Sequence, residues 1–356
     1  MRKKSGFFRD FFGTVRQDLR DVNLKTSLGR DLNSIYEFYL TSQERKELQS
    51  MGWLRRWISR VFWFLKNILY KLTPFRRLLL LLSFILLFEI QTVSRVLLAF
   101  TILFLILVLE LKDKLLAHDE LKAGRAVQAA LRPQKCPDIH GWEAYLYTRS
   151  ANDVGGDLID CIEQENGVFG FMVGDVAGKG LGAALLMAQL QASVHALVSY
   201  IKSLPKLVAQ LNKLYCKGGL SNTFISFLYL QVRSNSGKVS FVNAGHLPPI
   251  IQKSEKMIEW HKGSLALGLS PTSKYKEEIL DVDVGDLFVV YTDGITEARN
   301  SDGLFFGEQR MYDALSRAQQ LSAEKAALYV IKKVDQFVGN ASRSDDLTLL
   351  VLKRIS

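Results

Sequence analysis

The chain has 356 residues, 48% of them hydrophobic, which is enough for one large domain plus additional segments. Its net charge of +10 sits entirely in residues 1–77, where 17 Lys and Arg face 7 Asp and Glu, so residues 78–356 are neutral overall. That asymmetry excludes a uniformly basic nucleic-acid-binding protein. The three cysteines, Cys136, Cys161 and Cys216, match no metal or redox spacing and read as reduced thiols in a cytosolic environment.

Residues 1–77 form a basic, amphipathic N-terminal region. No cleavable signal peptide is expected, because the basic start Met1-Arg2-Lys3-Lys4 is not followed by a long apolar run. Residues 1–50 mix polar and aromatic types, with a short amphipathic helical patch over Asp31–Leu40. Residues 53–71 interleave Trp53, Trp57, Phe62, Trp63, Phe64 and Tyr70 with Arg55, Arg56, Arg60, Lys66 and Lys71. Rings and cations on one helix suit the lipid–water interface, and the bland alternative is an amphipathic helix packed on protein.

Residues 78–110 form a hydrophobic membrane segment. Its two apolar arms, 78–90 and 97–109, flank Gln91, Thr92, Ser94 and Arg95. Each arm is shorter than the ~20 residues a spanning helix needs. Both flanks carry cations (Arg76, Arg77; Lys112, Lys114), which favours a helical hairpin with both ends in the cytosol. A single tilted span tolerating Glu89 and Arg95, and a buried soluble hairpin, are the alternatives. Residues 111–133 read as a linker helix, charged, alanine-rich and stopped by Pro133. Leu116, Ala123, Val127 and Ala130 share one face, a stripe short for a coiled coil but able to pair in a homodimer.

From residue 137 to 354 the pattern becomes α+β. Strand-like runs cover 142–149, 157–164, 167–173, 222–232, 238–243, 276–284, 286–292 and 346–353. Helix-like runs cover 181–200, 204–217, 308–319 and 322–338. Hairpin-spaced strands with paired helices argue against a doubly wound parallel sheet.

Within this region four short runs put an acid at the edge of an apolar strand: Val154-Gly155-Gly156-Asp157, Gly174-Asp175-Val176-Ala177-Gly178-Lys179-Gly180, Tyr291-Thr292-Asp293-Gly294 and Ser344-Asp345-Asp346-Leu347-Thr348. Singly, each acid is an ordinary turn former or cap. Together they suit a hard-cation site, since hard cations take oxygen ligands and a pair of them can activate water against a phosphate ester. Asp160 lies three residues beyond Asp157, on the opposite face of an extended strand. The Gly174–Lys179 run is one residue short of a nucleotide-binding P-loop, and Gly180 stands where Ser or Thr should be.

The order GGD, GDVAGKG, NAGH, YTDGITEA and SDDLT, preceded by Gly124-Arg125-Ala126-Val127-Gln128 and Leu131-Arg132-Pro133, resembles the metal-dependent protein phosphatases (PPM, type 2C) in their bacterial SpoIIE/RsbU-like branch. The resemblance implies a β-sandwich of two antiparallel sheets flanked by helix pairs, with a binuclear Mn²⁺ or Mg²⁺ centre in a cleft at one end. By that resemblance Asp175 bridges the two cations and the Val176 carbonyl adds a ligand. Asp157 serves one cation, Asp293 and Asp345 the other, and Asp346 competes with its neighbour Asp345 for that role. The resemblance implies that Asp175 and Asp293 are the acids on which catalysis turns. Lys179 is a candidate phosphate helper, and His246 of Asn243-Ala244-Gly245-His246 reads as structural or at the cleft edge.

The expectation is a membrane-tethered phosphoserine/phosphothreonine protein phosphatase at the inner (cytoplasmic) membrane, its catalytic domain in the cytoplasm. Its substrate would be a signalling phosphoprotein, with a STAS-domain anti-sigma-factor antagonist as the family's example. Membrane lipid is an expected partner and nucleic acid is not. The alternative is a catalytically silent regulatory or scaffold module of the same fold.

Overall fold

The computed structural model describes residues 44, 47–48, 50–88, 93–133, 136–217, 223–253, 256–343 and 345–356. The helical patch expected over residues 31–40, the polar positions Glu89, Gln91 and Thr92, and Ser344 lie outside the described residues. The described chain falls into two compact units divided between Leu115 and Leu116.

The first unit contains α1 (Trp53–Lys71), α2 (Pro74–Phe88) and the beginning of α3 (Val93–Leu131). In α2 and α3 the outward positions Leu78, Leu81, Phe84, Leu97, Phe100 and Phe104 are exposed, whereas Ser83 and Ala99 are buried. Arg76, in the first turn of α2, meets Glu110 and Asp113 of α3 at 2.6 Å each and donates to the Leu109 carbonyl at 3.3 Å. The arms therefore run antiparallel, with their charged residues gathered at one end. No break separates the apolar arm of α3 from its charged continuation: 39 residues form one helix.

The second unit is a sandwich of two five-stranded antiparallel sheets. One sheet has the order β1 (Trp142–Arg149), β10 (Leu347–Arg354), β9 (Leu287–Tyr291), β6 (Ile250–Lys253), β7 (Lys256–Glu259). The other has the order β2 (Asp157–Gln164), β3 (Val168–Val176), β4 (Ile225–Arg233), β5 (Lys238–Ala244), β8 (Glu278–Asp281). Helices α4 (Leu181–Val198) and α5 (Leu204–Lys217) cover the second sheet. The one-turn helix α6 (Asp293–Thr296) follows β9, and α7 (Gly307–Ala318) and α8 (Ala323–Val338) cover the first sheet.

Strand alternation explains the layers. Phe169, Phe171 and Val173 of β3 point into the core between the sheets, and Met172 and Val176 point to the α4–α5 side. In β10, Leu350 and Leu352 face the other sheet while Leu349 and Val351 face α7 and α8. Helix α8 buries Ala323, Ala326, Ala327, Val330, Ile331, Val334 and Val338, a helical stripe, and Ser322 caps it by accepting from the Lys325 N–H.

The sandwich and its flanking helix pairs agree with the expected fold. Two features differ from the sequence reading. Strands β6 and β7 are absent from it, because four residues each are too few to show an alternation. Asp293 lies just past the end of β9, at the strand edge as expected, but there it opens the one-turn helix α6, which the sequence reading does not include.

Candidate active site

The ladder between β2 and β3 sets Asp157 directly opposite Asp175. In the other sheet β9 ends beside the start of β10, and the Thr292 N–H donates to the Thr348 carbonyl at 3.1 Å. The Thr292 hydroxyl then crosses between sheets and donates to Asp157 Oδ2 at 2.8 Å. These two links bring the edges that carry Asp157, Asp175, Asp293, Asp345 and Asp346 to one end of the sandwich.

The acids are close enough to disturb one another. Burial pushes the Asp157 carboxyl well up, and the charge of Asp175 adds to it. Asp175 is pushed up to about 7 by burial, then by the charges of Asp293, Asp345 and Asp346. Asp293 is raised by burial and by Asp345, with Lys179 opposing. Such a concentration of buried negative charge is costly without a compensating cation.

Each acid has a distinct set of partners. Lys179, from the glycine-rich turn before α4, donates to Asp345 Oδ2 at 2.8 Å. Asp346 turns the other way. Its Oδ1 accepts from the Ala151 N–H (2.8 Å) and its Oδ2 from the N–H groups of Gly156 (2.7 Å) and Asp157 (3.4 Å). The adjacent acids that the sequence could not separate therefore differ in place: Asp345 faces the cluster, and Asp346 holds the loop that carries Asp157. Among the described residues, no three His, Cys, Asp or Glu side chains already stand at metal-binding distance of one point. The carboxylates engage hydroxyl, ammonium and peptide donors instead. A set of oxygen donors with mutually raised proton affinities still fits hard divalent cations.

Glycine is required where chain segments touch. A Cβ on Gly294 would collide with the Asp346 carbonyl, and one on Gly155 would meet Ser150 Oγ at 2.6 Å. Gly155 is also gripped by Gln128 of α3, whose Nε2 donates to the Gly155 carbonyl (2.7 Å) and whose Oε1 accepts the Gly155 N–H (3.1 Å). Just past α3, Arg132 donates to Ser150 Oγ at 3.2 Å and feels the charges of Asp346 and Asp157. Gln191 of α4 donates to the Leu131 carbonyl and to Asp160 Oδ2, both at 2.7 Å. Asp160 also meets His195 Nε2 at 2.7 Å, on the face of β2 opposite Asp157. Val176 closes β3 with its N–H donating to the Gly156 carbonyl at 3.4 Å.

His246 is 5% exposed and stands behind the cluster, with Nδ1 3.0 Å from Ser226 Oγ. Ser226 pairs with Asp175 in the β3–β4 ladder. Burial pulls the imidazole down to about 4, so it is neutral, as a structural histidine should be. Nothing in the sequence pattern singles out Gln128, Arg132 or Thr292, although all three lie inside the stretches that carry the resemblance.

Comparison with known proteins identifies the family. The profile described as Stage II sporulation protein E (SpoIIE) matches residues 165–355. The chain belongs to the SpoIIE family. Its second unit is a PPM-type, SpoIIE/RsbU-like phosphatase domain. The chain is 27% identical over 266 residues to Protein IcfG of Synechocystis sp., covering 66% of this chain and 41% of that protein. It is 24% identical over 240 residues to Phosphoserine phosphatase RsbU of Bacillus subtilis, covering 66% of this chain and 70% of that one. The match thus spans less than half of IcfG. Among solved structures, the SiaA-PP2C domain of Pseudomonas aeruginosa superposes with a TM-score of 0.60 at 21% identity, covering 68% of this chain and 98% of that chain.

Proposed function

We propose that this SpoIIE-family chain is a membrane-tethered protein serine/threonine phosphatase acting on a signalling phosphoprotein. The observation that carries the reading is the convergence of Asp157, Asp175, Asp293 and Asp345, with Asp175 pushed up to about 7 by burial and its acidic neighbours. Asp157, Asp175, Asp293, Asp345 and the Val176 carbonyl would hold two Mn²⁺ or Mg²⁺ ions. When bound, the pair supplies an activated water and neutralises charge growing on the phosphoryl oxygens.

The chain's own groups have separate tasks. Asp175 and Asp293 present carboxylates into the cleft. Thr292 orients Asp157 through its hydroxyl. Asp346 and Gln128 fix the Gly155–Asp157 backbone from opposite sides. Lys179, 2.8 Å from Asp345, stands where its ammonium could meet a substrate phosphate. The substrate class is a phosphoserine or phosphothreonine protein, and an anti-sigma-factor antagonist of STAS type is the partner the family suggests.

The tether would be the α2–α3 hairpin, with both ends on the cytoplasmic side of the inner membrane and α1 at the lipid surface. Support comes from α3 being long and apolar enough to cross a membrane, from the outward apolar faces of α2 and α3, and from the Arg76–Glu110–Asp113 group gathering charge at one end. Helix α4 passes the same length-and-composition test, but it packs in the phosphatase core. Leu116 and Val127 are exposed on α3 while Gln128 is buried against the domain, which leaves the expected dimer stripe open to a second copy.

The test is direct. A purified fragment of residues 116–356 should release phosphate from a phosphopeptide with Mn²⁺, stop in EDTA, and fail as Asp175→Asn. A folded fragment that binds Mn²⁺ but hydrolyses no phosphopeptide would favour the silent scaffold instead.

A further inference from the structure

A second concave surface lies between α7 and α8, built from residues the acid cleft does not use. The groove has a volume of about 220 Å³. Its floor is aromatic. Phe306 and Phe337 meet edge-to-face with centroids 5.6 Å apart, and Tyr329 lines the same hollow. Its rim is cationic, formed by Arg310, Arg317 and Lys333. The Arg310 guanidinium is fixed over the Phe337 ring at 4.8 Å and donates to the Phe306 carbonyl at 2.8 Å. The Lys333 ammonium lies 5.4 Å from the Tyr329 ring centroid.

The charge on this rim is not balanced locally. Among the described residues, no ion pair includes Arg310, Arg317 or Lys333. The acid on this wall, Asp313, accepts from the Gln309 amide at 3.1 Å. A cationic concavity on a stretch of chain that is neutral overall, residues 78–356, calls for an anionic complement. The aromatic floor calls for something more than a bare anion, because rings reward apolar or aromatic contact. Arg310 and Arg317 are two helical turns apart, roughly 10 Å along α7, a spacing that suits separate carboxylates along a bound segment better than one compact phosphate.

We infer that the α7–α8 groove docks an acidic segment of a protein partner. An apolar or aromatic side chain of that segment packs against the partly exposed Tyr329 and Phe337, beneath which Phe306 is buried, and its flanking carboxylates meet Arg317 and Lys333. The site is separate from the acid cleft, so docking holds a partner without occupying the place of chemistry. Rim cations of this kind act through complementarity and encounter rate, and salt weakens them.

The test uses the 356-residue chain in detergent and a fluorescein-labelled peptide of glutamates flanking a central Phe-Leu pair. Anisotropy should show saturable binding that weakens as salt rises. The double reversal R317E/K333E should weaken it at least about tenfold, whereas the nearby control K332E leaves it intact. Thermal unfolding should be the same in all three proteins, because these side chains are at the surface. Equal affinity in R317E/K333E, no saturable binding up to about 1 mM, or equal binding of a Glu-Ser peptide without apolar residues would each overturn the inference. None of these readouts depends on hydrolysis, so a failure here is distinct from a failure of the phosphatase reading.

Discussion

Asp175 carries the sharpest consequence at the scale of single residues. Its folded carboxyl titrates near 7 while the unfolded one titrates near its ordinary value of about 4. The folded state therefore holds the proton more tightly, and stability is lost as pH rises through that window. In chelator, Asp175→Asn should unfold at a higher temperature than the parent chain. The gap should open between about pH 4 and 7 and stay level above, reaching at most about 4 kcal/mol, or about 2–4 °C per kcal/mol. Scanning calorimetry across pH reads this, and a gap independent of pH would contradict it. The neighbouring acids should behave differently from each other. Asp345→Asn should cost metal response with little loss of stability. Asp346→Ala strips the acceptor from three N–H groups and should lower stability by about 2–4 kcal/mol. The acids were legible in the sequence because charge at strand edges stands out. The division between Asp345 and Asp346 was not, since adjacent side chains point apart only once the strand's direction is known.

At the scale of elements, helices α5, α7 and α8 were readable within a residue or two because each repeats apolar positions at helical spacing, whereas α4, apolar nearly all round, shows no such stripe and reads as a helix from its length and lack of proline. Helix α3 shows what composition hides. The change from apolar to charged near residue 110 reads as a boundary, but the helix backbone continues through it, since both residue sets are good helix formers. What its last turns touch was also invisible. Gln128 binds the Gly155 peptide and Gln191 binds the Leu131 carbonyl, so the end of α3 bears on both the loop of Asp157 and the helix after Asp175. Gln128→Ala should cost about 2 kcal/mol by leaving a buried peptide unpaired, and should weaken Mn²⁺ binding in a metal titration while the fold persists. Unchanged Mn²⁺ affinity would argue that α3 has no grip on the site.

On the scale of the whole molecule, the charge asymmetry gives a prediction with two parts. If α1 meets anionic lipid through its arginines and lysines, its share of membrane attachment should fall with salt. The share held by α2 and α3 should not. Cell fractionation should therefore leave the chain in the membrane pellet after a high-salt wash, and deletion of residues 53–110 should release it. Release of the parent chain by salt alone would contradict the hairpin. The first and last strands of the phosphatase domain also have a bearing on how it can be used. Trp142 pairs with Arg354, and the Ile355 N–H donates to the Gly141 carbonyl at 2.9 Å. Where the backbone arrives and where it departs are thus next-door neighbours. A module wired like this can be spliced into an exposed turn of an unrelated host, or reopened elsewhere along its length with its old ends joined, and still close on itself.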